Sequence, residues 1–372
     1  MTFVHRKCIW VVMLLVVFVV GMRLRGDNID TEKLSPPASS QEGVLAYTYP
    51  TRVYKTRDAG NVKLESWYFY LIVEDKRGRT LEPVTLSLEF CSQGKTMQRE
   101  LLSAAALATI TSQSFKVTDK TPVISVRRVM GLDESFDLRL LHSKPESWQI
   151  DLVKATLTVR DPEGQEFSVV KEVPLSHYRQ RNQLIFPFRG TAIVTQGPFN
   201  NRGHYGPSNH FAIDVIGLTS TYSPVVAEED RNESYAGWGR EVVAPGDGVV
   251  VYARNDVPDN PKPGDSVPSD ILEELPDAPF TIPGNFIVID HGNSEFSVLM
   301  HLQAGSVRVK NGDQVHRGEI LAKIGNSGDS FAPHLHYQLQ SGPGVFRSDP
   351  LPVEFENLPN QRLVRGNYFE AK

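Results

Sequence analysis

The sequence predicts an all-β protein in which an N-terminal β-sandwich is followed by a second domain built on a mostly antiparallel β-sheet. Short runs of β-branched and aromatic residues recur along the chain, and turn residues separate them. In several runs apolar and polar residues alternate, as they do in a strand with one buried face. A chain of 372 residues is also too long for one ordinary core, so we expect about two domains.

The β-sandwich is predicted over residues 46–178, with an immunoglobulin-like spacing of strands and turns. Trp67 to Val73 is a continuous apolar and aromatic strand, whereas Val84 to Phe90 and Ala155 to Val159 alternate with a period of two. A helix is predicted over the alanine-rich Leu101 to Thr109. No catalytic set of residue types is grouped here, so the expected role is that of a spacer or binding module.

The N-terminus has the pattern of an export signal. Three residues, His5-Arg6-Lys7, precede an apolar run at residues 8–22. About fifteen helical residues span roughly 22 Å, which is short of the ~30 Å hydrocarbon core of a bilayer. We predict that residues 1–26 are a signal peptide or an uncleaved signal anchor, because no clear cleavage site follows, and that residues 27–45 are a linker. The protein is then exported to the periplasm or cell envelope, either free or anchored in the membrane by residues 8–22.

Charge and cysteine content exclude several classes of function. The formal net charge of -5 and the lack of a basic stripe argue against a nucleic-acid-binding protein. The chain has two cysteines, and one of them, Cys8, lies in the N-terminal apolar run. A disulfide framework or a cysteine-rich zinc site is therefore excluded, and any metal must be held by histidines and carboxylates.

A pair of histidines near the C-terminus is the strongest local signal of chemistry. His334 and His336 lie in a predicted strand, where residues two apart share a face and lie roughly 6.5–7 Å apart. A loop rich in glycine and serine, Gly325 to Ser330, precedes them. Two imidazoles on one face predict a metal site or a proton-transfer site. The alternative is a pair of solvent-facing histidines on an edge strand.

A second pair, His210 and Asp214, lies about 120 residues earlier in the chain. In a fully extended strand four residues cover about 13 Å, which is too far for two ligands of one ion. The chain must therefore bend near His210, and the Gly-, Pro-, Ser- and Asn-rich stretch Gly203 to Asn209 permits that bend. The alternative is an unrelated surface histidine and an exposed aspartate.

These pairs belong to a longer series of blocks joined by short strands and glycine turns. The blocks are His210-x-x-x-Asp214, Val243-Ala244-Pro245-Gly246-Asp247-Gly248-Val249, Ile289-Asp290-His291-Gly292, Met300-His301-Leu302, Gly325-Asn326-Ser327-Gly328 and His334-Leu335-His336. In this order, along about residues Phe186 to Pro343, they resemble the lysostaphin/LytM-type zinc metallopeptidases, which are murein endopeptidases that cut peptide cross-links.

The resemblance implies a zinc metallopeptidase domain over residues 184–346, followed by a C-terminal extension at 347–372. It implies that Zn²⁺ is held by His210, Asp214 and His336. Three protein ligands and a water are the open arrangement that a hydrolytic zinc needs. The resemblance further implies that His334 and His301 flank the ion, as general base and as transition-state stabiliser or acid.

Three other histidines and one long segment lie in or near these blocks. The role of His204, which is close to the site in sequence, stays open. His291 and His316 lie on predicted turns and are expected to be ordinary surface residues. The segment 255–283, rich in Pro, Asp and Glu, interrupts the predicted hairpin. We expect it to form a wall of the substrate groove or a lid, and the alternative is a solvated surface loop.

The predicted function is that of a secreted zinc metalloendopeptidase that hydrolyses peptide cross-links of peptidoglycan, with peptidoglycan peptides as its binding partners. The alternative is a catalytically silent protein of the same fold that binds peptidoglycan or activates other hydrolases. All the candidate ligands and both flanking histidines are present, which favours the enzyme. An adhesion or structural β-protein would leave the ordered His and Asp set unexplained.

Overall fold

The fold is described from a computed structural model of the chain. The model describes residues 38–39, 43–59, 63–75, 77, 79–112, 135–198, 204, 209–227, 230–268, 282–345, 348–359 and 363–372. The predicted signal at 1–26 and part of the segment 255–283 lie outside these residues. Among the helices in the described ranges, none has both the length and the apolar character needed to span a bilayer.

Nearly all of the regular secondary structure in the described residues is β-strand, which confirms the predicted all-β class. In chain order the elements are β1 (Ala38–Ser39), β2 (Val44–Tyr49), β3 (Val53–Ala59), β4 (Lys63–Asp75), β5 (Glu82–Ser92), β6 (Lys95–Ser103), α1 (Ala104–Ile110), β7 (Thr111–Ser112), β8 (Ser135–Pro145), β9 (Leu152–Arg160), β10 (Glu166–His177), β11 (Gly190–Gln196), β12 (Ile213–Gly217), β13 (Glu241–Val243), β14 (Gly248–Ala253), β15 (Asn285–Asp290), β16 (Phe296–Leu302), β17 (Gln314–Val315), β18 (Ile320–Lys323), β19 (Leu335–Gln340), β20 (Pro350–Leu351) and β21 (Tyr368–Ala371), with short 3₁₀ turns at Glu146–Trp148 and Asn232–Ser234.

The first ten strands form one sheet within the described residues, in the order β1-β2-β4-β3-β10-β9-β5-β6, with β8 on β4 and β7 on β8. Its strands pair antiparallel except for β3 and β10, which are parallel. Apolar side chains of β4, such as Trp67 and Phe69, share one core with Leu86 and Leu88 of β5. The alternation predicted for β5 is confirmed, since Leu86, Leu88 and Phe90 are fully buried. The immunoglobulin-like topology stays a prediction.

Helix α1 begins three residues later than predicted, at Ala104. The preceding residues continue strand β6, because Leu101, Leu102 and Ser103 pair with β5. A cross-strand ladder therefore outweighs the helical preference of this leucine- and alanine-rich stretch.

The second sheet has nine strands in the described part of the chain, in the order β17-β14-β15-β16-β19-β12-β11-β21, with β20 on β19. Strands β13 and β18 form a separate ribbon. One face of the sheet builds the core through Leu335, Tyr337 and Leu339 of β19. The residues between them, which include His336, point to the opposite face. The predicted antiparallel sheet is thus confirmed. Alternation within β19 places its polar side chains on the face opposite the core.

The two β regions contact each other close to this polar face. Tyr54 of β3 is buried in the hydrophobic core that the second sheet builds. The Tyr49 hydroxyl donates to the Ser348 carbonyl at 3.4 Å. The ring of Tyr68 lies 5.1 Å from that of His210. The first region therefore reaches the segment that leads into β12.

Candidate metal centre

Two of the predicted metal ligands are cross-strand neighbours. Asp214 on β12 is directly opposite His336 on β19, and directly opposite residues of an antiparallel pair share a face. Both side chains are almost fully buried. The Nδ1 atom of His336 lies 2.9 Å from Oδ1 of Asp214. Strand pairing thus brings together two of the three residues that the resemblance implies as zinc ligands.

Two glutamines, Gln338 and Gln340, form a hydrogen-bonded relay that determines which ring nitrogen of His336 carries the proton. Gln340 donates from Nε2 to the Gly342 carbonyl at 2.7 Å. The oxygen of Gln340 then accepts from Nε2 of Gln338 at 2.7 Å. The oxygen of Gln338 faces Nε2 of His336 at 3.0 Å, so this ring nitrogen must be the donor. The lone pair of a neutral His336 is therefore at Nδ1, facing the Asp214 carboxylate.

This arrangement places two electron-pair donors 2.9 Å apart in a buried site. Two acceptors at such a distance repel each other unless a cation or a proton lies with them. Imidazole nitrogen and carboxylate oxygen are ligands that Zn²⁺ takes in proteins. A hydrogen bond on the far ring nitrogen is also the usual support of a metal-binding histidine. The residues present therefore fit a zinc ion.

His334 lies just before β19, on the same face as His336. Its Nδ1 lies 2.8 Å from the Ala332 carbonyl and 3.0 Å from Oγ of Ser330. A carbonyl only accepts, so Nδ1 of His334 carries the proton and Nε2 holds the lone pair. That Nε2 is 3.8 Å from Oδ1 of Asp214. The base nitrogen thus faces the metal ligands.

His301 reaches the same site through an irregularity in β16. The pairing of β15 with β16 shifts register between Asn285 and Ile287, and His301 has a φ of 61°. Such a left-handed conformation is rare outside glycine and typical of functional sites. The His301 ring lies 4.6 Å from that of His334 and 5.9 Å from that of His336. Its Nδ1 donates to the Ser327 carbonyl at 2.9 Å, which leaves the lone pair at Nε2.

The charges of the site are set by burial and by the neighbouring rings. Burial alone would raise the pKa of Asp214, but the neighbouring His204 and His334 hold that pKa well below its usual range. Burial, together with the neighbouring histidines, lowers the pKa of His301 well below its usual value. Burial also lowers the pKa of His334, against the attraction of Asp214. The site therefore combines an ionised carboxylate with two uncharged imidazoles at neutral pH.

The segment before β12 bends where the sequence predicts a bend. The Ala212 amide donates to the Asn209 carbonyl at 2.8 Å, which closes a turn around His210. The His210 ring packs against Phe211 with centroids 4.1 Å apart and against Tyr68. Metal coordination by His210 stays a prediction.

The structure adds His204, whose role the sequence left open. One ring nitrogen of His204 and of His336 and a carboxylate oxygen of Asp214 all lie within 4.8 Å of one another. His204 stands alone in a glycine-rich stretch, and no spacing rule links it to β12. The sequence therefore contained no signal that could have identified it.

The described part of the segment 255–283 supports the loop between β18 and β19. The Asp259 carboxylate accepts from the Asn326 amide at 2.7 Å and from the Ala304 amide at 2.9 Å. Asn260 donates from Nδ2 to the carbonyls of Gly328 at 3.0 Å and Ser330 at 2.8 Å. The segment thus holds the loop whose backbone orients His301. Its predicted role as groove wall or lid stays a prediction.

The two turn histidines differ from each other. His316 is exposed, as expected, with 83% of its side chain accessible. His291 is half-buried, with Nδ1 2.7 Å from the Asp247 carbonyl and Nε2 2.8 Å from the Ser297 hydroxyl. Its bonds join two hairpins, so it is a structural residue and not an ordinary surface one.

Comparison with known proteins identifies the region that carries most of this site. Residues 233–347 match the model of Peptidase family M23. They include His301, His334 and His336, whereas Asp214 lies before the matched segment. Peptidoglycan DD-endopeptidase ShyA of Vibrio cholerae serotype O1 is 32% identical over 121 residues, which are 32% of this chain and 21% of that protein. Peptidoglycan DD-endopeptidase ShyC of the same organism is 36% identical over 88 residues, 24% of this chain and 19% of that protein. The matches thus span about a fifth of these curated relatives.

The chain was also compared with solved structures. The catalytic domain of a mutant of the prophage-encoded M23 protein EnpA from Enterococcus faecalis matches with a TM-score of 0.28 and 19% identity, over 44% of this chain and 92% of that one. A zinc-containing peptidase from Vibrio cholerae matches with a TM-score of 0.27 and 14% identity, over 81% of this chain and 85% of that one. On the family match, the chain contains a Peptidase family M23 domain.

Proposed function

We propose that this M23 domain is a zinc metalloendopeptidase that hydrolyses peptide cross-links of peptidoglycan outside the cytoplasm. The observation that carries the proposal is the meeting of three residues on neighbouring strands β12, β19 and β16, namely Asp214, His336 and His301, with His334, which directly precedes β19. The relatives named peptidoglycan DD-endopeptidases support the substrate class. Export agrees with the N-terminal signal predicted from the sequence.

Asp214 and His336 would hold the zinc, together with a further histidine from the segment before β12. When bound, zinc would polarise the scissile carbonyl and lower the pKa of a water molecule towards ~7. Asp214 remains ionised, and the glutamine relay directs the Nδ1 lone pair of a neutral His336 towards it. Each side chain can therefore offer an electron pair to a cation.

His334 and His301 would handle the protons of the reaction. Each is uncharged at neutral pH, and each has its Nδ1 proton held by a backbone carbonyl. The remaining nitrogen, Nε2, can therefore accept a proton from the attacking water. The same nitrogen can deliver that proton to the amine that leaves when the peptide bond breaks. The rings are 4.6 Å apart, so both reach one substrate bond.

Digestion of purified peptidoglycan and of defined muropeptides tests the proposal directly. Metal-loaded wild-type protein should release shorter peptides, identified by mass spectrometry. His334→Ala and His301→Ala should each lower the cleavage rate by about a hundredfold or more, because acid–base catalysis contributes on that scale. His316→Ala, in an exposed histidine, is the matched control and should cleave at the wild-type rate.

Two results would contradict the proposal. Wild-type protein that binds zinc but releases no products would favour the silent peptidoglycan-binding or hydrolase-activating protein. Cleavage that persists in His334→Ala at the wild-type rate would remove the assigned proton acceptor.

A further inference from the structure

We infer that Tyr222 and Tyr368 form a carbohydrate-binding corner, which holds the glycan strand of peptidoglycan beside the candidate metal centre. The inference takes its substrate class from the proposed function. Tyr222 lies in the loop after β12, and Tyr368 is the first residue of β21. Tyr222 is 64% exposed and Tyr368 is 55% exposed. The two rings are nearly perpendicular, at 89°, with centroids 6.0 Å apart.

Strand pairing puts Tyr368 on the face of the sheet that carries the candidate metal centre. Tyr368 is directly opposite Ile193 of β11, which is in turn directly opposite Ile216 of β12, and directly opposite residues share a face. Ile216 lies two residues after Asp214 on one strand, so these two residues also share a face. Phe369, the next residue of β21, belongs to the core on the other side. One surface strip therefore runs from the tyrosine across two half-buried isoleucines to the carboxylate.

The length of this strip matches the length of a stem peptide. Neighbouring strands lie ~4.8 Å apart and alternate residues of one strand ~6.6 Å apart, so the backbones of Tyr368 and Asp214 are separated by roughly 12 Å. An extended peptide covers ~3.3–3.6 Å per residue, so about three or four residues span roughly 10–14 Å. In peptidoglycan, a stem peptide of about this length joins each cross-link to its glycan strand. A cross-link held at the metal centre therefore places the attached sugars over the two tyrosines.

The loop that carries Tyr222 presents the ring in a fixed position. Tyr222 has a φ of 60°, which is unusual for a bulky residue and typical of functional positions. The Thr219 hydroxyl accepts from the Thr221 amide at 3.3 Å and from the Ser223 amide at 3.1 Å. The Tyr222 amide donates to the Thr219 carbonyl at 3.0 Å. Because the loop is already ordered by these bonds, little conformational entropy is lost when a ligand binds to the ring.

The chemistry of the corner suits an uncharged sugar. The C–H groups of a pyranose ring carry slight positive charge and pack against the negative face of an aromatic ring. Two perpendicular rings offer one such face beneath a sugar and a second beside it. The tyrosine hydroxyls can donate to and accept from the hydroxyl and acetamido groups of the sugar. Thr191 and Glu370, which are directly opposite each other on the same face as Tyr368, supply further hydrogen-bonding groups.

Binding of peptide-free glycan tests the inference without any measurement of cleavage. Soluble glycan strands are prepared from purified peptidoglycan with an amidase that removes the stem peptides, and their dissociation constant from the full chain is measured by isothermal titration calorimetry. Tyr222→Ala and Tyr368→Ala should each weaken binding about tenfold, because truncation of an aromatic anchor has effects on that scale. Tyr368→Phe keeps the ring and should bind almost as tightly as the wild type. Leu101→Ala, at a comparably exposed apolar residue of β6, is the matched control and should bind like the wild type.

Wild-type affinity for glycan in both alanine variants would overturn the inference. Weaker binding of free stem peptides with unchanged binding of glycan would also overturn it, and so would a change from dimer to monomer with unchanged glycan affinity. If an alanine variant loses the folded circular-dichroism spectrum, the wild type still answers the question. Nuclear Overhauser effects between sugar protons and the two tyrosine rings support the inference, and their absence refutes it. Glycan binding through the tyrosines without peptide cleavage would contradict the proposed function alone.

Discussion

Replacement of Gln338 by methionine is the sharpest test of the relay behind His336. Methionine has a similar volume and fits a buried position, but it cannot accept the Nε2 proton of His336 or donate to Gln340. Each buried polar group that loses its partner costs about 1–3 kcal/mol. Two such groups are affected, namely Nε2 of His336 and Oε1 of Gln340. We therefore expect the free energy of unfolding of the metal-free protein to fall by about 2–6 kcal/mol.

The same change should weaken metal binding. Without an acceptor at Nε2, the His336 ring is free to carry its proton at Nδ1, which is the nitrogen that we propose as the ligand. Loss of such an outer partner lowers metal affinity about 10–100-fold. The Zn²⁺ dissociation constant is measured by chelator competition, and stability by denaturant unfolding. Gln314→Met, on an exposed position of β17, is the matched control.

Gln338→Glu separates the two effects. A carboxylate still accepts from His336, so zinc affinity should stay close to that of the wild type. The second oxygen of the new carboxylate would face Oε1 of Gln340, and this repulsion should lower the free energy of unfolding. Wild-type zinc affinity in Gln338→Met would refute the reasoning, because the relay would then not determine which nitrogen of His336 is free.

Three further predictions concern the loop and the first β region. Gly328 and Gly292 have nearly the same backbone conformation, with φ values of 77° and 76°. A Cβ added at Gly328 would lie 2.3 Å from the Gly284 nitrogen, whereas a Cβ added at Gly292 would meet no atom within 4 Å. Gly328→Ala should therefore lower the melting temperature more than Gly292→Ala, and equal shifts would contradict the close approach. Asn260→Leu removes the bonds to the loop carbonyls, so cleavage should fall without loss of the folded circular-dichroism spectrum; unchanged cleavage would show that the loop is held by other contacts. Burial lowers the pKa of His142 from 6.5 to about 4. The unfolded chain therefore binds a proton at a higher pH than the folded protein does. The free energy of unfolding should decline by about 3 kcal/mol as the pH falls from 6.5 to about 4. His142→Phe should reduce that decline, as measured by denaturant unfolding at several pH values, and an identical decline would refute the assignment.

The sequence predicted the parts of the site that follow from strand periodicity. Alternation within one strand placed His334 and His336 together, and the structure confirms this because Leu335 and Tyr337 fill the core side. The bend near His210 was predicted from the length of an extended chain, and a turn is present there.

Features that depend on departures from regular pairing could not be predicted. Alternation in β16 gives neighbouring residues opposite faces, and Met300 is directly opposite His336. The side chain of His301 reaches the site because of a register shift and a positive φ. No pattern of residue types in the sequence predicts either feature. His204 depends on the path of a loop, and the role of His291 depends on bonds to a distant turn. Such contacts are set by tertiary structure and not by local preference.

The pairing of β12 with β19 determines when in folding the proposed metal site can form. Asp214 and His336 are 122 residues apart in the chain and become neighbours only when these strands pair. A chain in which β19 has not yet paired with β12 cannot hold an ion between them. The proposed zinc site can therefore form only after this part of the sheet has folded.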